Sequence, residues 1–513
     1  VGTSPAPYSF DEYAGLVLDN ETVTSQNTGS SGSDNDRDGD GIADADDACP
    51  DESGPSSNNG CPVNQAPTAD AGAPYVTNEG VDVTLDGSGS SDPDNDALTY
   101  AWDLDNDGQF DDATGATPAF TMVGQDGLFT VGLRVSDGID SAVDSTTVTV
   151  NNVAPTVSLN SNAPRNEGQS VTVSGTVSDP GWLDPLTATI NWGDGGGIQT
   201  LTGSLENVRP NATLTFSASH VYGDNGLFTA QVCGSDDDTT TCETIDLQIN
   251  NVDPTAAIDM SEAVLVNGVP TFLGTINEPL DFSGRSTDPG SDDLTLKWDW
   301  DDGSTTSTTS LVNPPNPDPF PSPSVQPRDV TDNQTHTYSD ACLYEVQFWA
   351  EDDDGGMSAV RTANVIIVGD AEEVRSAGYW QHQFRSHLTG RGRSHFDAAE
   401  LECYLAIAAY MSQVFNEERD AATFASAHDI LNVSDNDGDI LELLDMQLLA
   451  AWLNFANGAV GYDQLIDTNS DGIPDTPFAD VIATAEAARL DPTATRSELE
   501  EQKDIIERIN LMG

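Results

Sequence analysis

The sequence predicts a multidomain, mainly β protein: tandem antiparallel two-sheet sandwiches followed by a C-terminal, mainly α-helical domain. Three observations carry this prediction. First, one pattern is written three times. It opens with Asn78-Glu79-Gly80, Asn166-Glu167-Gly168 and Asn277-Glu278-Pro279, and runs through the turns Asp92-Pro93, Asp179-Pro180 and Asp288-Pro289. It then reaches a Trp strand at Trp102, Trp192 and Trp298, and closes on Gly127-Leu128-Phe129, Gly226-Leu227-Phe228 and Leu343-Tyr344-Glu345. Repetition at such a period marks one structural unit copied in tandem. Second, each copy alternates apolar and polar residues in short runs between Gly, Asn and Asp turns, as in Val81-Asp82-Val83-Thr84-Leu85 and Thr146-Thr147-Val148-Thr149-Val150. That is the period of strands with one buried face. Third, the period changes near residue 370. Ala398 to Phe415, Leu441 to Phe455, Phe478 to Arg489 and Ser497 to Met512 carry apolar residues at helical spacing.

These signals divide the 513 residues into an N-terminal extension (1–33), an acidic cassette (34–65), three sandwiches (66–153, 154–252 and 253–369) and a helical domain (370–513). The extension is Ser/Thr/Gly-rich around one strand-like run, Leu16, Val17 and Leu18, then Val23. A lone strand leaves its own backbone groups unsatisfied. Two readings stay open: a leader without fixed structure, or a donor strand that joins a sheet edge in its own or a neighbouring chain. The Pro-rich stretch Asn313 to Pro327 reads as a surface loop.

Composition narrows the setting. The chain has 87 Asp plus Glu against 17 Lys plus Arg, a formal charge of -70. Self-repulsion on this scale opposes folding unless cations bind, and it repels nucleic acid. No apolar run is long enough for a membrane span. Val1 is expected to be a mature or trimmed start, which fits export to the cell surface or beyond. Cys49 and Cys61 bracket a short loop, and Cys233 and Cys242 a hairpin-like run; Cys342 and Cys403 remain as a third pair. This pairing follows proximity alone, and buried reduced thiols are the alternative.

The repeats resemble the polycystic-kidney-disease (PKD) family of immunoglobulin-like domains. The family's Trp-Asp-Phe-Gly-Asp-Gly element is similar to Asn191-Trp192-Gly193-Asp194-Gly195 and to Trp298-Asp299-Trp300-Asp301-Asp302-Gly303. The resemblance implies spacers or binding modules of surface and secreted proteins. Gly378 to Phe384 and Ala450 to Ala456 resemble an end domain of large exported prokaryotic proteins, which carries no assigned activity.

Calcium is the expected cofactor. It takes six to eight oxygen ligands, which acidic residues at alternate positions of a turn deliver to one centre. Asp36, Asp38, Asp40, Ile42, Asp44 and Asp47 have this spacing and, with the trailing Cys49-Pro50, resemble a thrombospondin type 3 repeat. Asp467, Asn469, Asp471, Ile473 and Asp475 form a second loop, which needs Asp480 or another segment to complete its shell. Asp103, Asp105 and Asp107 with Asp111 and Asp112 form a third. Asp435, Asp437 and Asp439, with Glu442 and Asp445, resemble a dockerin-type loop of irregular spacing; a helix cap is the other reading. The short linkers Asn151-Asn152-Val153 and Asn250-Asn251-Val252-Asp253, with Glu79, Glu167 and Glu278, Asp236 to Asp238 and Asp352 to Asp354, suggest calcium at repeat junctions, against ordinary turn chemistry.

No nucleophile elbow, zinc-protease helix or phosphate loop is present in the sequence. His220 and His336 precede equivalent Tyr residues and read as structural. Arg385, Arg391 and Arg393 form a cationic island that suits either local ion pairs or the acidic face of another copy. The expectation is a non-catalytic, calcium-stabilised extracellular structural protein, assembled head-to-tail with copies of itself into a filament or surface array. The alternative is an adhesin or carbohydrate-binding accessory region, with a glycan or cell-surface ligand stacked on Trp182 or Trp349.

Overall fold

The computed structural model describes residues 35–312, 326–433 and 439–512. Leu16, Val17, Leu18 and Val23, Asp435 and Asp437, and most of the Pro-rich stretch lie outside them. The described residues fold as two units: 35–77 with 81–123 and 127–151, and 78–80 and 124–126 with those from 152 onward.

In the first unit the cassette is closed by a Cys49–Cys61 disulfide. Asn64 Nδ2 donates to Asp137 and Asp140 at 2.9 Å each, fastening the cassette's end to the sandwich. The larger sheet of that sandwich has the order Tyr75–Asn78, Ser141–Asn151, Gly127–Ser136, Thr99–Asp103, Ala113–Thr114. Val131, Leu133 and Val135 alternate inward along Gly127–Ser136 and pack with buried Trp102 and Phe120. The indole nitrogen of Trp102 donates to Gly115 O at 2.9 Å, so the buried ring leaves no polar atom unmet.

The second unit begins with a sandwich of a four-stranded sheet and a five-stranded sheet. Cys233 and Cys242 face each other across the hairpin of Gly226–Ser235 and Thr240–Asn250 and are bonded. The next sandwich pairs a three-stranded sheet with a six-stranded one. In both, a His sits on the Trp ring of the repeated motif. His220 stacks on Trp192 at 4.9 Å and bonds Asp194 at 2.5 Å; His336 stacks on Trp300 at 4.5 Å and bonds Asp302 at 2.7 Å. Both histidines are therefore structural.

One strand of the six-stranded sheet, Arg361–Val368, feeds two cores. Along Arg361–Val368, Ala363, Val365 and Ile367 enter the sandwich core, while Ile366 points the other way into the helical core. The strand period of two makes that division. The helical domain is built from α1 (Ala377–Thr389), α2 (Ala398–Met411), α3 (Phe424–Leu431), α4 (Ile440–Ala456), α5 (Phe478–Leu490) and α6 (Arg496–Ile509). Capping boxes start α2 at Asp397, α3 at Thr423 and α6 at Thr495. Helices α1 and α3 are additions to the sequence reading. The first carries too many polar residues for an apolar stripe to stand out, and the second is only two turns long. Cys342–Cys403 joins the third sandwich to α2.

Candidate metal centres

The predicted loops form the turns that their Asp and Gly residues dictate. Asp36 accepts from Gly39 N at 2.8 Å and Gly41 N at 3.1 Å, and Asp40 accepts from Ile42 N at 2.8 Å and from Gly54 N at 3.0 Å. Gly41 has φ +94°, a conformation that suits glycine. Oxygens of Asp36, Asp38 and Asp40 lie within 4.8 Å of one another. Asp44 turns aside to Arg37, and Asp47 accepts from Cys49 N at 2.7 Å. Asp38 Oδ2 and Asp47 Oδ2 are buried without a hydrogen-bond partner.

Asp103, Asp105 and Asp107 also converge within 4.8 Å. Asp112 accepts instead from Leu104 N at 2.7 Å and Asp105 N at 3.1 Å, and Asp111 is exposed outside the group. In the Asp467–Asp475 loop, Asp467 accepts from Ser470 N at 2.7 Å and Gly472 N at 2.8 Å. Asn469 accepts from Asp471 N, and Asp471 from Ile473 N. Asp475 is occupied by Thr468, Asn469 and Thr476, while Asp480 is exposed in the first turn of α5. Asp439 stands at the N-cap of α4 without a side-chain capping bond. Asp445 is not available to a cation, because Arg419 and Arg489 hold both its oxygens at 2.6 Å.

Two further sets, which loop spacing does not reveal, are more enclosed. Glu79, Asp179 and Asp184 form one, and Glu167, Asp288 and Asp292 the other; in each the ligand oxygens lie within 4.8 Å of one another. All six side chains are at most 3% exposed. The two sets are built alike. Val153 N donates to Glu79 at 2.9 Å and Val252 N to Glu167 at 2.5 Å. Gly181 N donates to Asp179 and Gly290 N to Asp288, both at 2.6 Å. Burial pushes Glu167 up to about 8, Asp292 to about 9 and Asp184 to about 8, with neighbouring carboxylates adding to the rise. The sequence contained the signal in Asn-Glu-Gly and Asp-Pro-Gly, but those residues stand in different repeats and only folding brings them together.

The remaining candidates divide. In the helical domain His387 bonds Phe396 O and His395 bonds the Tyr379 hydroxyl. Arg385, Arg391 and Arg393 are exposed and form no ion pair with a described carboxylate; the first two border a shallow pocket with His382 and Gly392. Trp182 lies under the Arg209 guanidinium at 5.2 Å, and Trp349 donates to Glu351 at 3.1 Å, so both rings are half-buried and engaged.

The family model described as PKD domain matches residues 64–151 and 152–250. The third sandwich lies outside these spans. Among solved structures the chain is similar to the PKD domain of an M14-like peptidase from a Thermoplasmatales archaeon, with 19% identity over 23% of this chain and 98% of that one (TM-score 0.15). It is also similar to Clostridium thermocellum CbhA fibronectin(III)-like modules, with 14% identity over 42% of this chain and 95% of that one (TM-score 0.18). Sidekick-1 immunoglobulin domains 1-5 match at 10% identity over 60% of this chain and 59% of that one (TM-score 0.24). No curated protein matches the chain.

Proposed function

We propose, with tandem PKD and immunoglobulin-like sandwiches as the premise, that this chain is a non-catalytic, calcium-stabilised extracellular structural protein. It assembles head-to-tail with copies of itself into a filament or surface array. The observation that carries this reading is how the parts from residue 152 onward are joined. The third sandwich gives one sheet face to its own core and part of the other, around Val266 and Ile366, to the helical core, and Cys342–Cys403 bonds the two covalently. Such joints resist separation where flexible linkers would not. The three disulfides fit an oxidising, extracellular setting. Calcium is supported by the convergence of Asp36, Asp38 and Asp40, and of Asp103, Asp105 and Asp107.

Head-to-tail assembly needs two unlike, complementary ends. Arg385, Arg391 and Arg393 supply a cationic end in a chain of net charge -70, with the Leu16 to Val23 run as the opposite candidate. The competing adhesin reading would have to stack sugar on Trp182 and Trp349, which already contact Arg209 and Glu351 and are half-buried. Negative-stain microscopy of the purified chain with millimolar calcium, and again after chelation, tests the proposal. Regular filaments or sheets that dissolve on chelation are expected. Separate short particles in both conditions would overturn assembly and favour glycan arrays as the next measurement.

A further inference from the structure

The second and third sandwiches meet over a short linker, and each contributes acid to one closed space. Glu167 comes from the turn before strand Ser170–Asp179 of the second sandwich. Asp288 ends strand Pro279–Asp288 of the third, and Asp292 follows it. Each carboxylate spends at most one side on the protein. Glu167 Oε2, Asp288 Oδ2 and Asp292 Oδ2 are buried and have no hydrogen-bond partner. Arg328, opposite Asp288 across the sheet, gives its bonds to Leu311 O and Val312 O instead.

Anions so placed are destabilising: one backbone N–H each to Glu167 and Asp288, and the charge of Arg328 acting on Asp288, offset only part of the cost of desolvating three neighbouring carboxylates. The backbone leaves room for something else. A Cβ on Gly290 would stand 2.8 Å from Glu167 Oε2 and 3.0 Å from Asp292 Oδ1, so glycine keeps the centre of the triad open. The same arrangement recurs in full at Glu79, Asp179 and Asp184. There Glu79 Oε1, Asp179 Oδ2 and Asp184 Oδ1 lack partners, and a Cβ on Gly181 would meet all three side chains within 2.9 Å. In the exposed acidic loops, backbone N–H groups of the same turn already meet many of the carboxylate oxygens. Turn chemistry does not explain two equivalent sets of buried oxygens facing no donor.

We propose that Glu167, Asp288 and Asp292 hold one divalent cation, and that this ion fastens the second sandwich to the third. Glu79, Asp179 and Asp184 hold another in the equivalent place. An all-oxygen, carboxylate-rich donor set selects a hard cation, and calcium tolerates such irregular shells better than magnesium. The inference deepens the calcium reading above and rests on it. Because these ligands are gathered and dehydrated before the ion arrives, both sites bind more tightly than the open loops.

The test uses the full chain, stripped with chelator and titrated with calcium chloride, beside Asp292→Asn, Asp184→Asn and, as a loop control, Asp467→Asn. Bound calcium is counted by elemental analysis after dialysis, melting is followed with and without calcium, and cleavage near Asn250–Asp253 is followed by limited proteolysis. Asp292→Asn should lose one ion, or bind it at least tenfold more weakly, and should lose calcium protection of that linker. Its melting order should also reverse: at or above the parent in chelator, where Asn replaces a buried carboxyl that has no cation to meet, and below it in calcium. A purely structural Asp292 would melt below the parent in both. Asp184→Asn should behave likewise in ion count and melting. Equal ion counts and equal linker protection in Asp292→Asn and the parent, while Asp467→Asn loses an ion, would overturn this inference alone. A parent chain that binds no calcium would overturn both it and the calcium reading.

Discussion

At the scale of single residues, the strongest constraints are charges with nowhere else to go. Asp445 is fully buried in α4 and is held by Arg419 and by Arg489, whose Nε and Nη2 bond its two oxygens at 2.6 and 3.1 Å. Removing one member of a buried ion cluster leaves the others uncompensated, so Asp445→Ala should cost about 3–5 kcal/mol in urea unfolding of the helical domain. Gly168 shows a backbone constraint of another kind. It has φ +68°, and a Cβ would come within 2.6 Å of Pro289 O. Gly168→Ala should therefore lose more than the roughly 1–2 kcal/mol that a left-handed backbone alone costs an L-residue. An unchanged melting temperature would show that the two sandwiches do not approach as described. Gly290→Ala differs, because its obstacle is the Glu167 side chain, and its main effect should be weaker calcium binding by calorimetry.

At the scale of elements, strand Arg361–Val368 joins two cores. Truncating Ile366, which belongs to the helical core, should cost about 2–5 kcal/mol and loosen the helices, read as faster hydrogen exchange in α2 and α4. Truncating Val365, its neighbour on the other face, should loosen the third sandwich instead. The Cys342–Cys403 bridge closes a loop with a sequence separation of 61 residues. Chain-entropy reasoning gives a stabilisation of about 4 kcal/mol for a loop of that size. A Cys342→Ser, Cys403→Ser double variant should fall by that order in denaturant unfolding while the first unit melts unchanged.

At the scale of the whole molecule, the net charge of -70 makes stability a matter of what cations are present. Monovalent salt shortens the reach of surface repulsion to about 10 Å at 0.1 M. Sodium chloride should therefore raise the melting temperature of the chelated chain, and millimolar calcium should raise it further at equal ionic strength. The pH dependence has a definite sign. In chelator the folded chain holds protons on Glu167, Asp184 and Asp292 that the unfolded chain has released, their pKa values being raised to about 8, 8 and 9. Stability should then fall as pH rises from the ordinary carboxylate range through those values. In saturating calcium that slope should flatten, because ion and proton compete for the same oxygens. A slope unaltered by calcium would mean that the ion does not reach these groups.

The amino-acid sequence by itself determined the repeated sandwich and the change to helix near residue 370, because each is written in local periodicity; it suggested the Cys49–Cys61 and Cys233–Cys242 pairs by short spacing, while the structure decided that Cys342 and Cys403, 61 residues apart, are bonded. The sequence also marked the Asp36 and Asp103 loops, whose ligands are neighbours in the chain. It underdetermined α1 and α3, where polar residues and short length hide the helical stripe. Only the tertiary structure decided that Asp445 serves two arginines and that Asp112 and Asp475 are occupied by their own loops. It alone brought Glu167 to Asp288 and Asp292, and Glu79 to Asp179 and Asp184. Local spacing specifies a turn, but the burial that leaves a carboxylate oxygen without a donor depends on which distant segments pack around it.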